Sequence, residues 1–254
     1  MRAFRPARGT TAAPLVLVLH GYGGDGASQL DWFGLSRFEG VHLVAPDGTL
    51  DSTGRRFWNA TERCCDFEGT RVDDVRYLTS LIDDVAARHP VDRARVYAVG
   101  LSNGGAMALR LACDASDRVA AVVTFAAPWF DAPACAPKLP FAVRHLHGTA
   151  DRMVPYEGGG LAKGIHPNAK GGHLSARAIV ASFAKIAGCT GPLVEDATLD
   201  LDRTVPGDET TIARHGGCKA PVELWTLRGS GHVPPPLRDA FADETWRFLS
   251  AQHR

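Results

Sequence analysis

Short runs rich in β-branched and aliphatic residues recur along the chain at Leu15–Leu19, Val41–Ala45, Arg95–Val99, Val119–Phe125, Val143–His147 and Val222–Leu227. Each is nearly continuous in apolar character and bounded by polar or glycine-rich sequence, the pattern of a strand buried on both faces. Between them the period changes. Val72, Val75, Leu78, Leu81, Ile82 and Val85 recur at three- and four-residue steps and predict one apolar helix face. Ile179, Val180, Phe183 and Ile186 predict a second, and Phe241, Thr245, Phe248 and Leu249 a third near the C-terminus. Asn103 to Cys113 predicts a short helix of small and aliphatic residues. Strands alternating with helices predict an α/β fold, a mainly parallel, doubly wound sheet with helices on both faces.

No internal repeat or low-complexity linker divides the chain, so residues 1–254 are read as one domain. Residues 188–221 differ in texture. They are rich in Asp, Gly, Thr and Pro, lie between Cys189 and Cys218, and read as a loop-rich insertion, a small hairpin, before the last strand. Asp196, Asp200, Asp202 and Asp208 in this stretch raise calcium as an alternative, but they lack the EF-hand spacing and a solvated acidic loop is expected.

Charge narrows the class. With 28 Lys+Arg against 28 Asp+Glu the formal net charge is zero, which argues against a nucleic-acid partner, since such a partner needs a positive face. An apolar fraction of 45% and a charged fraction of 22% exclude disorder and collagen-like repeats. No apolar run approaches the ~18 residues of a membrane span, so no membrane partner is expected. Arg2, Arg5 and Arg8 ahead of the apolar stretch from Ala12 to Leu19 imitate a secretory signal. No small-residue cleavage site follows, and the stretch reads as a buried first strand, any signal segment being absent from this numbering.

Six cysteines, Cys64, Cys65, Cys113, Cys135, Cys189 and Cys218, make an even count compatible with three disulfides and an oxidising compartment. Cys113 with Cys135 and Cys189 with Cys218 would close plausible local loops. That leaves Cys64 and Cys65, whose adjacent Cα atoms lie closer than the usual disulfide range. Six buried thiols are the alternative. With no C-x2-C pair, no zinc or other metal site is expected.

The strongest chemical signal is Gly100-Leu101-Ser102-Asn103-Gly104, followed by Gly105, between a predicted strand and a predicted helix. Glycines on either side let the backbone turn sharply and lift the serine hydroxyl above the sheet edge. A hydroxyl needs a histidine to take its proton, and that histidine an acid to fix its tautomer. Asp151 follows the strand Val143–His147 and His232 follows Val222–Leu227, so both fall beyond the carboxyl ends of later strands. The chain order Ser102, Asp151, His232 is the order of the α/β-hydrolase arrangement. An oxyanion would need two N–H donors, and the backbone amides of Asn103 and of Tyr22 in His20-Gly21-Tyr22-Gly23-Gly24 are the candidates. Among rival groups, His145 and His147 alternate on one strand and are read as buried packing, His166 and His173 as solvent-facing. Asp73 and Asp74 read as helix-start residues.

His20-Gly21-Tyr22-Gly23-Gly24, Phe57-Trp58-Asn59-Ala60, Cys64-Cys65, Val72-Asp73-Asp74-Val75, Ser102-Asn103-Gly104-Gly105, His147 to Asp151 and Gly231-His232 together resemble the secreted polyhydroxybutyrate depolymerase and feruloyl esterase group of α/β-hydrolases. The likeness covers nearly the whole chain. It implies a secreted or periplasmic serine carboxylesterase without cofactor, with triad roles on Ser102, Asp151 and His232. Two departures stand out. The family carries antiparallel strands ahead of the His-Gly loop, whereas only 14 residues precede Leu15, and Val233-Pro234-Pro235-Pro236 replaces a Thr-Trp-Pro run.

Trp58, Trp129, Phe130 and Tyr156 are the expected substrate-binding residues, a flat aromatic lining suited to a feruloyl ring, an aromatic polyester or polyhydroxybutyrate units. The expected partner is an ester substrate and the expected state a monomer. Acyl transfer to a sugar or alcohol uses the same constellation, and a non-catalytic polymer-binding module is the remaining alternative.

Overall fold

The computed structural model describes residues 2–254 apart from residues 10, 62, 132, 133, 163, 164, 167, 170 and 236. Part of the loop between His166 and His173, and the last proline of the run after Val233, therefore lie outside the described residues.

Among the described residues nine strands form one sheet: β1 (Arg2–Arg5), β2 (Ala13–Leu19), β3 (His42–Pro46), β4 (Val91–Leu101), β5 (Ala121–Phe125), β6 (Ala142–Gly148), β7 (Leu193–Leu199), β8 (Thr210–His215) and β9 (Val222–Leu227). Their order across the sheet is β1-β3-β2-β4-β5-β6-β9-β8-β7. The central strands β3, β2, β4, β5, β6 and β9 run parallel. These are the apolar runs of the sequence, and the reason is burial on both sides. Leu15, Leu17 and Leu19 enter one core layer while Val16 and Val18 enter the other, as the two-residue period of a strand requires.

Helices α1 (Gly26–Phe33), α2 (Asp74–Ala86), α3 (Asn103–Asp114), α4 (Ala176–Ile186) and α5 (Asp239–Ser250) cover the two faces. Leu78, Leu81 and Ile82 of α2, the small residues of α3 and Ile179, Val180 and Phe183 of α4 share the first layer. Leu30 and Phe33 of α1 and Phe241, Phe248 and Leu249 of α5 share the second. Helix α1 lacks a long apolar period. It is fixed by the Asp25 side chain capping the Ser28 amide and by the close seat of Gly26, where a Cβ would lie 2.2 Å from the Ala45 carbonyl oxygen.

Two edge features complete the sheet. The segment ahead of the His-Gly loop does contribute an antiparallel strand, β1, which pairs Arg2–Arg5 with Pro46–Leu43 of β3. The insertion at 188–221 contains the hairpin β7/β8, which extends the sheet antiparallel to β9. Its carboxylates are engaged locally. Asp196 faces Arg214, Asp200 accepts from Arg238 Nε at 2.8 Å, and Asp202 accepts from Ser230 Oγ at 2.6 Å. No helix among the described residues is long and apolar enough to cross a membrane.

All six cysteines are paired, Cys113 with Cys135, Cys189 with Cys218 and Cys64 with Cys65. The vicinal pair is the one that spacing left open. The Cys64–Cys65 peptide is cis, with Cα atoms 2.9 Å apart and the sulfurs bonded.

Candidate active site

Ser102 occupies the turn between β4 and α3 with φ 53° and ψ −120°, a region that L-residues rarely enter. The surrounding glycines make the turn possible by close approach. A Cβ on Gly100 would lie 2.2 Å from the Gly104 carbonyl oxygen, and one on Gly104 would lie 2.2 Å from that of Leu19. Ser102 N donates to the Phe125 carbonyl at 2.8 Å, tying the turn to the end of β5.

Asp151 sits three residues beyond β6, its side chain buried. Its Oδ1 accepts from the amides of Met153 and Val154, each at 2.8 Å, and its Oδ2 lies 2.7 Å from His232 Nδ1. Burial alone would raise this carboxyl. Hydrogen bonding from His147, His232 and the Val154 amide outweighs it and holds the group well below the usual carboxylate range. The anion can therefore accept only, so His232 carries a hydrogen on Nδ1, and in the neutral ring Nε2 is then the acceptor. The two loops are held together: Ala150 N donates to the Ser230 carbonyl at 3.0 Å, and a Cβ on Gly148 would collide with that same oxygen at 2.3 Å.

The His20–Gly24 loop lies against the serine turn, with the Gly21 Cβ position 3.5 Å from Ser102 Cβ. His20 organises it. Its Nδ1 faces the Gly21 carbonyl at 2.8 Å, its Nε2 accepts from Gly48 N at 2.9 Å, and its carbonyl accepts from Trp58 Nε1 at 3.0 Å. Burial lowers the pKa of this imidazole, which suits its neutral role. Gly23 N donates to Arg56, Gly24 N to Gly21 and Gly21 N to Gln29 Oε1. The Tyr22 amide has no acceptor among the described residues. The Asn103 amide, at the first position of α3, has no intrahelical acceptor either.

A cleft of about 680 Å³ joins these parts, lined by Ser102, His232, Tyr22 and the Cys64–Cys65 pair. Its apolar wall is aliphatic: Leu101, Met153, Val154, Leu161, Ile165 and Val233. Arg55 lines it with its guanidinium over the Tyr22 ring, and Gln29 carries a buried amide nitrogen without a partner among the described residues. A larger concavity of about 820 Å³, bounded by Asn59, Asp66, Asp74 and Arg110, contains neither Ser102 nor His232.

The aromatic lining is a correction. Trp58, Trp129, Phe130 and Tyr156 are all buried, and none lines the cleft. Trp58 turns inward because Asn103 and His20 bind it, and Trp129 packs on Phe183 of α4. Phe130 backs the Cys64–Cys65 pair, and the Tyr156 hydroxyl bonds Thr226 Oγ1 at 2.8 Å. Proximity to a strand end did not reveal which way each ring points. The residues that do line the wall, Met153, Val154, Leu161, Ala162, Ile165 and Val233, carried no motif.

His166 stacks on Phe67, while His173, expected at the surface, is buried with its ring edge toward Phe130. Asp73 caps α2 by accepting from Arg76 N at 2.9 Å, and Asp74 instead turns inward to accept from Asn59 N at 2.7 Å. His145 and His147 are fully buried and hydrogen-bonded to one another.

A central parallel sheet with a serine turn, an Asp–His pair beyond later strands and a glycine-rich loop facing them defines an α/β-hydrolase. The chain belongs to the phospholipase/carboxylesterase family, whose model matches residues 6–177. It is 29% identical to feruloyl esterase B of Piromyces equi over 236 residues, 89% of this chain and 40% of that protein. It is 31% identical to the putative esterase NocK of Nocardia uniformis subsp. tsuyamanensis, over 93% of this chain and 71% of that protein. Poly(3-hydroxyalkanoate) depolymerase C of Paucimonas lemoignei shares 26% identity over 88% of this chain and 55% of its own length. The chain thus spans about two fifths of the Piromyces protein. Among solved structures, esterase PE8 superposes with a TM-score of 0.61 at 19% identity over 98% of this chain and 97% of its own. The Bacillus cereus carboxylesterase gives 0.60 at 16% identity over 98% and 93%.

Proposed function

We propose that residues 1–254 form one catalytic domain, a serine carboxylesterase working through an acyl-enzyme without a cofactor. His232 Nε2 takes the Ser102 proton as Oγ attacks the ester carbonyl, and the Tyr22 and Asn103 amides hold the oxyanion. His232 then protonates the departing alcohol and activates water for deacylation, while Asp151 keeps the imidazole in its working tautomer. The observation that carries this reading is the 2.7 Å Asp151–His232 contact at a cleft that Ser102 also lines. Replacing Ser102 by Ala should lower esterase turnover by at least about a thousandfold with the fold intact. A fully active variant ends the proposal.

For the substrate we propose a short aliphatic ester of the hydroxyalkanoate type. Apart from Tyr22 the cleft wall is aliphatic and sulfur-lined, and Trp58, Trp129, Phe130 and Tyr156 are buried elsewhere. Names among the relatives point both ways, to feruloyl and to poly(3-hydroxyalkanoate) esters. Side-by-side hydrolysis of methyl ferulate and a 3-hydroxybutyrate trimer separates them, and the trimer should win. Three disulfides fit an extracytoplasmic location.

A further inference from the structure

Behind the Asp151–His232 pair lies a buried row of polar groups that the acyl-transfer scheme does not use. His147 Nε2 is 2.8 Å from the Val154 carbonyl and 3.3 Å from Asp151 Oδ2, the same oxygen that faces His232. His147 Nδ1 is 3.2 Å from His145 Nε2, and His145 Nδ1 is 2.9 Å from Thr124 Oγ1. The row runs from β5 through β6 to the loop bearing Asp151.

Elementary donor–acceptor logic orients every proton in it. A carbonyl and a carboxylate can only accept, so His147 Nε2 must carry a hydrogen. In the neutral ring its Nδ1 is then an acceptor, which requires a hydrogen on His145 Nε2 and leaves His145 Nδ1 to accept from the Thr124 hydroxyl. Burial drives the His145 pKa well below its ordinary value, with His147 and His173 adding to the effect, so the His145 ring is uncharged.

We propose that His147 is a positioning residue for Asp151: locked by His145 and Thr124 as the Nε2–H tautomer, it directs one N–H between the Val154 carbonyl and Asp151 Oδ2. It thereby shares with His232 the oxygen that aligns the imidazole. The inference rests on the esterase reading above for its functional meaning, though not for the tautomers. The N–H tempers the basicity of Asp151. Without it the carboxylate attracts a protonated His232 more strongly, and the carboxylate is also freer to turn.

The ionisable groups around His147 are His145 on its own strand, Asp151 and Tyr156 of the loop after β6, His232 beyond β9 and His173 ahead of α4. His147→Leu should move the acidic limb of kcat/KM upward by about half a pH unit. It should also lower kcat about tenfold with little change in KM. His147→Gln, which restores an N–H donor, should return the limb toward its original position. A rate loss at all pH values without movement of the limb overturns the proposal, because a merely structural role predicts that result. Should the Leu variant fail to fold, ¹⁵N NMR of histidine-labelled wild-type protein decides. At pH 8 both His145 and His147 should show protonated Nε2 and unprotonated Nδ1. A hydrogen on Nδ1 of His147 at that pH refutes the row. Activity surviving Ser102→Ala would instead refute the esterase reading while leaving the NMR result intact.

Discussion

The side-chain amide of Asn103 bonds both backbone groups of Trp58, accepting from its N–H at 2.7 Å and donating to its carbonyl at 2.9 Å. The residue that follows Ser102 is thus stitched to the Phe57-Trp58-Asn59 segment as a strand neighbour would be, with Cys64 Sγ 3.8 Å from the same amide nitrogen. On the proposed mechanism Asn103 would serve twice, its backbone N–H as an oxyanion donor and its side chain as the tie to Trp58.

Asn103→Ala should leave the buried Trp58 N–H unpaired, whereas the Trp58 carbonyl keeps the Cys65 amide at 3.3 Å. The loss is about 1–3 kcal/mol in urea unfolding. Turnover should fall on the order of ten- to a hundredfold as the amide loses its alignment. Asn103→Asp keeps the acceptor for Trp58 N–H but loses the donor and buries a charge, so it should be no more stable than the Ala variant at pH 7. An Asp variant matching wild type in midpoint and kcat would contradict this account.

Tyr22 presents the opposite case. Its phenol donates to Asp51 Oδ2 at 2.5 Å, and burial together with that carboxylate pushes its pKa up to about 12. The proposed oxyanion donor is the amide. Tyr22→Phe should therefore keep kcat within about threefold while costing about 1 kcal/mol of stability. A drop of a hundredfold or more would mean that the phenol itself meets the substrate.

The parallel strands were legible because burial on both faces leaves a continuous apolar run, and α2 and α4 because one buried face leaves a three- and four-residue period. The elements that escaped lack those causes. Helix α1 buries only Gln29, Leu30 and Phe33 besides Gly26, too few for a period, and β7 is an edge strand with Glu195 and Asp196 in water. The positions of Ser102, Asp151 and His232 relative to strand ends could be read because the chemistry restricts them to that edge of the sheet. Ring directions at Trp58 and Trp129 could not, since they depend on partners distant in sequence, His20 and Phe183.

The vicinal cysteines form part of the cleft wall and are backed by Phe57 and Phe130. Truncating both, Cys64→Ala with Cys65→Ala, should widen the cleft beside Ser102 and remove contacts worth about 1 kcal/mol to a small acyl group. KM for a short acyl ester should rise about fivefold, and the ranking of kcat/KM across a p-nitrophenyl ester series should shift toward bulkier acyl groups. An unchanged acyl-length profile would place the bridge outside the acyl site.

Asp74 begins α2, where the helix terminus favours an anion, yet it is buried, and desolvation with the Asp66 and Asp73 charges nearby raises its carboxyl to about 6 from an ordinary 3.8. The folded state thus holds this proton more tightly than the unfolded chain does. The resulting stability is complete below about pH 4 and is lost as pH rises through about 6. By the linkage relation the loss amounts to roughly 3 kcal/mol at most. Asn imitates the protonated acid and can still accept from the Asn59 amide, so Asp74→Asn should remove that slope. Urea unfolding at pH 4 and pH 8 tests it: the variant should gain on wild type at pH 8 relative to pH 4. An equal difference at both pH values would show that the carboxyl titrates alike in the folded and unfolded chain.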